Sequence, residues 1–453
     1  MKNGVRVVGT VDPNGSVPSL SVAVSPRVRP GVFRLPNMTD PLRHRRALTH
    51  VGGAAQTEGD PTDAAALAHA LDVPPAGDAD DDPARGHVHG FHTYPARLHP
   101  DTAARLVRAF CPPRGRVLDP FCGSGTVLVE AVVAGRAAAG TDLNPLAVRL
   151  AWCKTRPRPA AELAELVARA ADCAALADHR RITKAGASRR FPPDEVRLFE
   201  PHVLLELDSL RAAVHGLPAC PARADLWLVL SSILVKFSRQ QADTSAAAPG
   251  RKTAAGSAAK LFVRKTEELA ARLTDFTRLV PTPPPPVVVE QDDATLLQSV
   301  PDGAADAVIT SPPYAATYDY LAHHELRLRW LGLDPTPLAR GEIGSRSAYE
   351  GRSAVEARTA WAAELGRFFQ AVGRTLPPGR PLVLVMADSA VGGVALRADE
   401  LVAEVARGYG FEPTARASQT RPHFHGPTAA AFRDRPRAEH ALLLRRLSPR
   451  GRS

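Results

Sequence analysis

The run Asp119-Pro120-Phe121-Cys122-Gly123-Ser124-Gly125-Thr126 decides the fold class. It leaves a short apolar stretch that reads as a strand over 116–118 and enters an apolar segment, 126–133, that reads as a helix ended by Gly135. Upstream, Asp101 can cap a helix through Phe110; downstream, 137–141 reads as a second strand. That strand ends in Asp142-Leu143-Asn144-Pro145, and a helix follows to about Cys153. Strand, glycine loop, helix, strand and acid make a βαβ unit of a parallel sheet. A glycine turn after a buried strand lets backbone approach a ligand closely.

A second run, Ser311-Pro312-Pro313-Tyr314, follows another apolar strand candidate, 307–310. Proline fixes φ and has no N–H, so two in succession hold the chain extended and stiff. The result is a rigid lip that can present a carbonyl, a hydroxyl and a ring to a flat substrate.

The two runs together resemble the S-adenosylmethionine-dependent amino-methyltransferases that modify exocyclic nitrogens of nucleic-acid bases. The loop wording Asp-Pro-Phe with Gly-Ser-Gly-Thr lacks the third glycine of a dinucleotide fingerprint. The resemblance covers about residues 90–153 and 287–445. It implies a Rossmann-like α/β fold, a seven-stranded mostly parallel sheet with a helical insertion between cofactor and catalytic motifs. It also implies S-adenosylmethionine as cofactor, held by Asp119, Pro120, Phe121, Gly123, Ser124, Gly125 and Thr126, with Gly123 and Gly125 near its methionine end. Asp142, at the end of the second strand, is placed to accept from ribose hydroxyls. Asp293 resembles the group these enzymes aim at the adenine amine, with its neighbour Asp292 one register away. Tyr94, in the segment 92–100, resembles part of a flap over the methionine end, and Arg97 accompanies it.

On the same resemblance Ser311, Pro312, Pro313 and Tyr314 are catalytic. Exocyclic amines are poor nucleophiles because the lone pair delocalises into the ring. Acceptors at Ser311 Oγ and the Pro312 carbonyl would hold the amine pyramidal and stabilise the charge growing on nitrogen, while Tyr314 stacks on the base. Serine in first place is commonest among enzymes that make N4-methylcytosine; Asp or Asn is commoner for adenine N6 and guanine N2. The expectation is therefore cytosine N4 in double-stranded DNA, or adenine N6 within the same family. A tRNA or rRNA guanine-N2 or adenine-N6 methyltransferase is the alternative, and a non-catalytic nucleic-acid-binding protein that keeps the fold is a second.

The remaining sequence sets the frame. The 453 residues suffice for one large α/β domain with an insertion. The five cysteines are scattered, odd in number and never spaced CxxC, which suits a reducing cytoplasm. No apolar run reaches the roughly 18 residues needed to span a bilayer, so no membrane partner is expected. His87, His89, His92 and His99 have no Cys or acid among them at ligand spacing, and no metal is expected. Residues 1–85 read as a weakly ordered leader with a short helix near 64–71, and Met38 as an alternative start. Residues 86–153 form the cofactor half, 154–286 a helical insertion, 287–446 the catalytic half and 447–453 a tail.

The insertion reads as helices near 160–176, 196–213, 224–237 and 259–280. Between Lys154 and Val280 stand 21 Lys and Arg against 14 Asp and Glu, so +7 of the chain's net +10 sits there. Arg239, Gln240, Arg251 and Lys252 carry donors suited to base edges or phosphates. Target recognition is placed in this segment, with restriction or defence proteins as further partners.

Overall fold

The structure, a computed structural model, describes residues 53–73, 86–239, 253–391, 393–421 and 426–448. The chain opens with β1 (Gln56–Gly59) and α1 (Pro61–Leu71), then α2 (Pro100–Phe110), β2 (Arg116–Asp119), α3 (Thr126–Val133), β3 (Ala137–Asp142) and α4 (Pro145–Lys154). The helices α5 (Ala160–Ile182), α6 (Pro193–Leu198), α7 (Pro201–Gly216), α8 (Pro221–Phe237) and α9 (Ser257–Leu279) follow. Next come β4 (Val287–Gln291), β5 (Ala307–Thr310), α10 (Tyr320–Leu331), α11 (Thr336–Gly341), α12 (Arg346–Tyr349) and α13 (Ala354–Thr375). The last elements are β6 (Pro381–Ala387), β7 (Ser389–Val391), β8 (Val394–Leu396), α14 (Ala398–Gly408), β9 (Phe411–Thr420) and β10 (Ala438–Arg446).

One sheet organises them, in the order β1-β9-β10-β6-β5-β2-β3-β4. From β6 to β4 the strands run parallel; β10 is antiparallel to both of its neighbours, and β1 is antiparallel to β9. The fold is thus α/β with a mostly parallel sheet. The order reverses between β2 and β5, and ligands of such sheets sit outside the carboxyl ends at that switch. Those ends carry Asp119, Asp142 and Thr310.

The two faces of the sheet are packed differently. One face meets α13 and α14 through Trp361, Phe368, Phe369, Leu401 and Phe411, all buried. The other shares one hydrophobic core with α2, α3 and the helices of the insertion. The segment 154–286 therefore does not hang off the sheet. Arg158, just ahead of α5, pairs with the buried Asp225 of α8 at 3.0 Å, and Arg189, between α5 and α6, pairs with Glu195 of α6 at 2.6 Å and Asp208 of α7 at 3.7 Å. Among the described residues no helix is long and apolar enough to cross a membrane.

The expectation of seven strands and a weakly ordered leader through residue 85 needs correction, because β1 and α1 are part of the sheet assembly. Asp60 caps α1, its Oδ1 accepting from the Thr62 and Asp63 amides at 3.0 and 2.9 Å. Ala64, Leu67, Ala70 and Leu71 form the buried face, and Arg445 holds Asp63 at 2.9 Å. The strand is exposed along its length, so it lacks the alternation that marks a half-buried strand. Half of the helix's buried positions are alanine, which weakens its apolar signal.

Leu67 is fully buried. Leu67→Ala should lower the free energy of unfolding by about 2–5 kcal/mol, the usual range for emptying such a site. Urea denaturation would measure it; a change under half a kcal/mol would mean that α1 is not part of the cooperative unit.

Candidate functional site

Two strand ends create the site. Asp119 closes β2, and its Oδ1 accepts from the Thr310 hydroxyl at 2.6 Å and from the Phe121 amide at 3.2 Å. The carboxyl is buried, which pushes it up to about 7 against the pull of those two donors. Asp142 closes β3, its Oδ2 accepting from the Gly123 amide at 2.9 Å and its Oδ1 from the Asn144 amide at 2.8 Å. Burial raises this carboxyl to about 6. The glycine loop is thus held by the acid of the next strand.

Outside these ends lies a cleft of about 660 Å³. Of the residues expected to bind a cofactor, Tyr94, Pro120, Phe121, Gly123, Asp142 and Asp293 line it. Asp119, Ser124, Gly125 and Thr126 do not. Ser124 is buried with its Oγ unpartnered. Gly125, at φ +87°, lies against α4: a Cβ there would stand 2.9 Å from Ala151 Cα. Helix packing and the left-handed turn both require glycine at this position. Gly123, at φ +49°, does face the cleft, and a Cβ on it would meet the Tyr94 ring at 3.3 Å. Asp293 faces in, with Oδ1 accepting from the amide and hydroxyl of Thr295, both at 2.7 Å. Asp292 is turned to Ser299, accepting its amide at 2.7 Å and its hydroxyl at 2.6 Å.

Tyr94 lies parallel to the His324 ring, centroids 4.8 Å apart. Its hydroxyl accepts from Asn144 Nδ2 at 3.3 Å, while Asn144 Oδ1 caps α4 through the Leu146 amide. Asn144 is one lining residue that sequence reasoning passed over; Leu143 and Thr295 are two more, and a further group, Tyr320, Leu338, Gly341, Glu342 and Ile343, stands on α10 and the segment 338–343. One signal for them was available, the glycine at 341, whose added Cβ would come within 2.7 Å of Leu143 Cδ1.

The lip meets this cleft at Ser311 and Pro313. On its other side a second cleft, about 700 Å³, is lined by Ser311, Tyr314, Tyr318, Arg97, Arg421, Arg437 and Glu439, with Leu71 and Val73 from the end of α1. Ser311 and Ala96 belong to both. Pro312 is buried and lines neither. Tyr314 is held out of the first cleft, and burial pushes its phenol up. The lip is braced from behind: Asp319 accepts from the Ser345 hydroxyl at 2.9 Å and the Ser347 amide at 2.8 Å, and the Ala316 amide donates to Gly344 O.

Two further sequence expectations meet the structure here. Glu130 of α3 stands 2.8 Å from His89 Nε2 and 4.0 Å from His87 Nε2, so an acid does join the histidines that the sequence showed without one. Burial depresses both imidazoles and raises Glu130 to about 7, and Lys154 and Arg97 press on His89. Arg239 is exposed, and its amide donates to Leu198 O at 2.8 Å. Leu198 belongs to a broad groove of about 990 Å³ that also includes Arg197, His323, Arg327 and Arg329. Gln240, Arg251 and Lys252 lie outside the described residues.

Comparison with known proteins finds likeness to methylases in the part of the chain around the glycine loop. Residues 77–152, which contain Tyr94, the glycine loop and Asp142, match a family model described as DNA methylase (N6_N4_Mtase). Over 83 residues the chain is 36% identical to the Type II methyltransferase M.MvaI of Kocuria varians, a match spanning 18% of each protein. Among solved structures, TrmN from Thermus thermophilus aligns at 14% identity, over 77% of this chain and 49% of that one, with a TM-score of 0.28. A SAM-dependent methyltransferase from Methanosarcina mazei aligns at 11% identity over 76% and 98%, with a TM-score of 0.30. The chain thus spans about a fifth of its curated relative and half of TrmN.

The buried Asp119 predicts a pH dependence of stability. From about pH 4 to 7 the unfolded chain ionises this group while the folded chain keeps its proton. The cost of burying the carboxylate therefore grows across that window and stays above it. Asp119→Asn should raise the melting temperature relative to wild type at pH 8 and change it little at pH 4. Thermal unfolding at both values is the check, and an equal shift at the two would contradict the assignment.

Proposed function

We propose that this protein is an S-adenosylmethionine-dependent methyltransferase of an exocyclic amino group in a nucleic-acid base, with cytosine N4 in DNA as its target. The observation that carries the reading is the meeting of two clefts at Ser311, one built on the glycine loop and one behind the lip. Transfer between two bound molecules requires such a junction, with both reactants held in line.

The first cleft fits the cofactor. Phe121, Pro120, Leu338 and Ile343 give it flat apolar walls, and Asp142, Asp293 and Asn144 give it acceptors and a donor. Asp142 would hold the ribose hydroxyls, Asp293 the adenine amine, and Gly123 with Tyr94 the methionine end. When bound, the cofactor supplies an electrophilic methyl group on a positively charged sulfur.

What the protein adds is orientation and charge. Ser311 Oγ, which lines both clefts, accepts one amine proton, which turns the nitrogen lone pair toward the first cleft and favours positive charge on nitrogen; the carbonyl of the buried Pro312 would accept the other once the base draws the lip toward it. The prolines keep these acceptors from swinging away. Tyr314 stacks on the base in the second cleft. A base taken from a duplex must be extruded, at roughly a few kcal/mol, and stacking worth about 1–3 kcal/mol offsets much of that. Arg239 and the groove beside it would track phosphates, as would Gln240, Arg251 and Lys252.

Nucleoside mass spectrometry on DNA and RNA from a methylation-deficient host expressing the protein tests the proposal. N4-methylcytosine should appear in DNA and vanish with Tyr314→Ala, while Pro312→Ala, which keeps the carbonyl but frees the lip, should slow its formation; each should leave cofactor affinity within about twofold. Asp142→Ala should instead weaken cofactor binding by roughly ten- to a hundredfold in titration calorimetry, the value of one or two buried hydrogen bonds. N2-methylguanine or N6-methyladenine confined to RNA would move the substrate to tRNA or rRNA.

A further inference from the structure

Two histidines ahead of Tyr94 and a glutamate of the glycine-loop helix meet at a point that the methyl transfer does not use. The 3-10 turn His87–Gly90 presents His87 and His89, and Glu130 of α3 reaches them from 41 residues beyond His89. One ligand atom from each lies within 4.8 Å of the other two. Glu130 Oε1 is 2.8 Å from His89 Nε2 and 4.0 Å from His87 Nε2. A tetrahedral zinc ion, with bonds of about 2.0–2.2 Å to nitrogen and oxygen, sets its ligand atoms about 3.3–3.6 Å apart. The two distances bracket that span.

Among the described residues no hydrogen bond explains where His87 stands. Its Nδ1 is buried without a partner, and its Nε2 is beyond hydrogen-bond reach of the glutamate. The ring is wedged between His89, with centroids 4.6 Å apart, and Phe276 of α9, at 6.0 Å. Its backbone lies at φ +24°, where a residue with a side chain is strained. Burial holds both imidazoles neutral, the form that ligates a metal, and Glu130 supplies the negative charge. The charges around the three are mixed: Arg97 and Lys154 act on His89, Arg272 and Asp275 on His87, and Arg108 and Asp101 on Glu130. Burial drives Lys154 toward its neutral amine, and Arg97 and Arg272 are engaged by the backbone carbonyls of His89 and His87.

We infer that His87, His89 and Glu130 form a binding site for a zinc ion, which fastens the segment carrying Tyr94 to the helix that leaves the glycine loop. Two nitrogens and one carboxylate suit zinc, whereas magnesium and calcium take oxygen ligands. The ion's role is to hold, since the side chains of His89 and Glu130 are sealed from solvent; it enters past His87, whose side chain is 17% exposed. Zinc binding stands apart from the methyltransferase reading and does not depend on it.

The test uses the full chain without an affinity tag, stripped with EDTA and then titrated with zinc chloride, followed by calorimetry and by thermal unfolding. Wild type should take up one equivalent and melt at a higher temperature as free zinc rises, because an ion that binds the folded chain stabilises it. His87→Ala and Glu130→Gln should each weaken zinc binding by about a hundredfold or more, at least the loss seen for outer-shell partners, and should abolish the thermal shift. His179→Ala, which alters an exposed histidine of α5, should change neither. Melting in EDTA reports whether each variant folds; if Glu130→Gln does not, His87→Ala decides, being at the most exposed of the three positions. Wild type that binds no stoichiometric zinc would overturn the inference. So would a thermal shift of equal size in wild type and His87→Ala, which would place the ion elsewhere on the chain.

Discussion

The Thr310 hydroxyl donates to Asp119 across 2.6 Å at the end of two neighbouring strands. β2 and β5 pair over only two positions, Val117 with Ala307 and Leu118 with Val308. Beyond them the backbone ladder stops, and the side-chain bond continues it by one more rung. The glycine loop leaves immediately after Asp119 and the lip immediately after Thr310. Their separation is therefore set by a bond between two buried groups, which is shorter and stiffer than a contact between loops. Because Asp119 also accepts from the Phe121 amide, the first turn of the glycine loop is fixed by the same carboxylate.

The far end of the lip is fastened in a different way. Asp319 gathers the Ser345 hydroxyl, the Ser347 amide and Arg346, while Glu364 of α13 accepts from the Gly344 amide and the Tyr349 hydroxyl. Gly344 lies so close to the lip that a Cβ would be 3.2 Å from Tyr314 O. The lip is thus anchored at both ends, with its two prolines stiff in between. Ordered donors and acceptors cost no reorganisation when charge develops, which is the main advantage of a rigid site.

The parts of this arrangement that were legible in the sequence are those where backbone geometry dictates residue type. The glycine loop, the double proline and the acid after the second strand each mark themselves locally, and α5, α7, α8 and α9 of the insertion show in their apolar spacing, whereas the six-residue α6 is too short to show. The second cleft could not be read that way, since Leu71, Arg97, Ser311, Arg421 and Glu439 come from five separate places and no local pattern unites them. Gly125 carries a constraint that the motif does not announce, since Ala151 of α4 leaves no room for a side chain there. Asp292 and Asp293 are indistinguishable by type and separated only by side-chain bonds, one to Ser299 and the other to Thr295.

The edge strand β1 pairs with β9, residue 56 against residue 418. On a ribosome adding about 5–20 residues each second, Gln56 emerges on the order of tens of seconds before its partner exists. During that time the strand and the alanine-rich face of α1 have no docking surface, and their closure must wait for nearly the whole chain. Since Leu71 and Val73 help wall the second cleft, that cleft is completed last. A nascent chain can therefore form the glycine loop and the first cleft while the second cleft still lacks a wall, and the order of synthesis itself delays the completed pair of clefts.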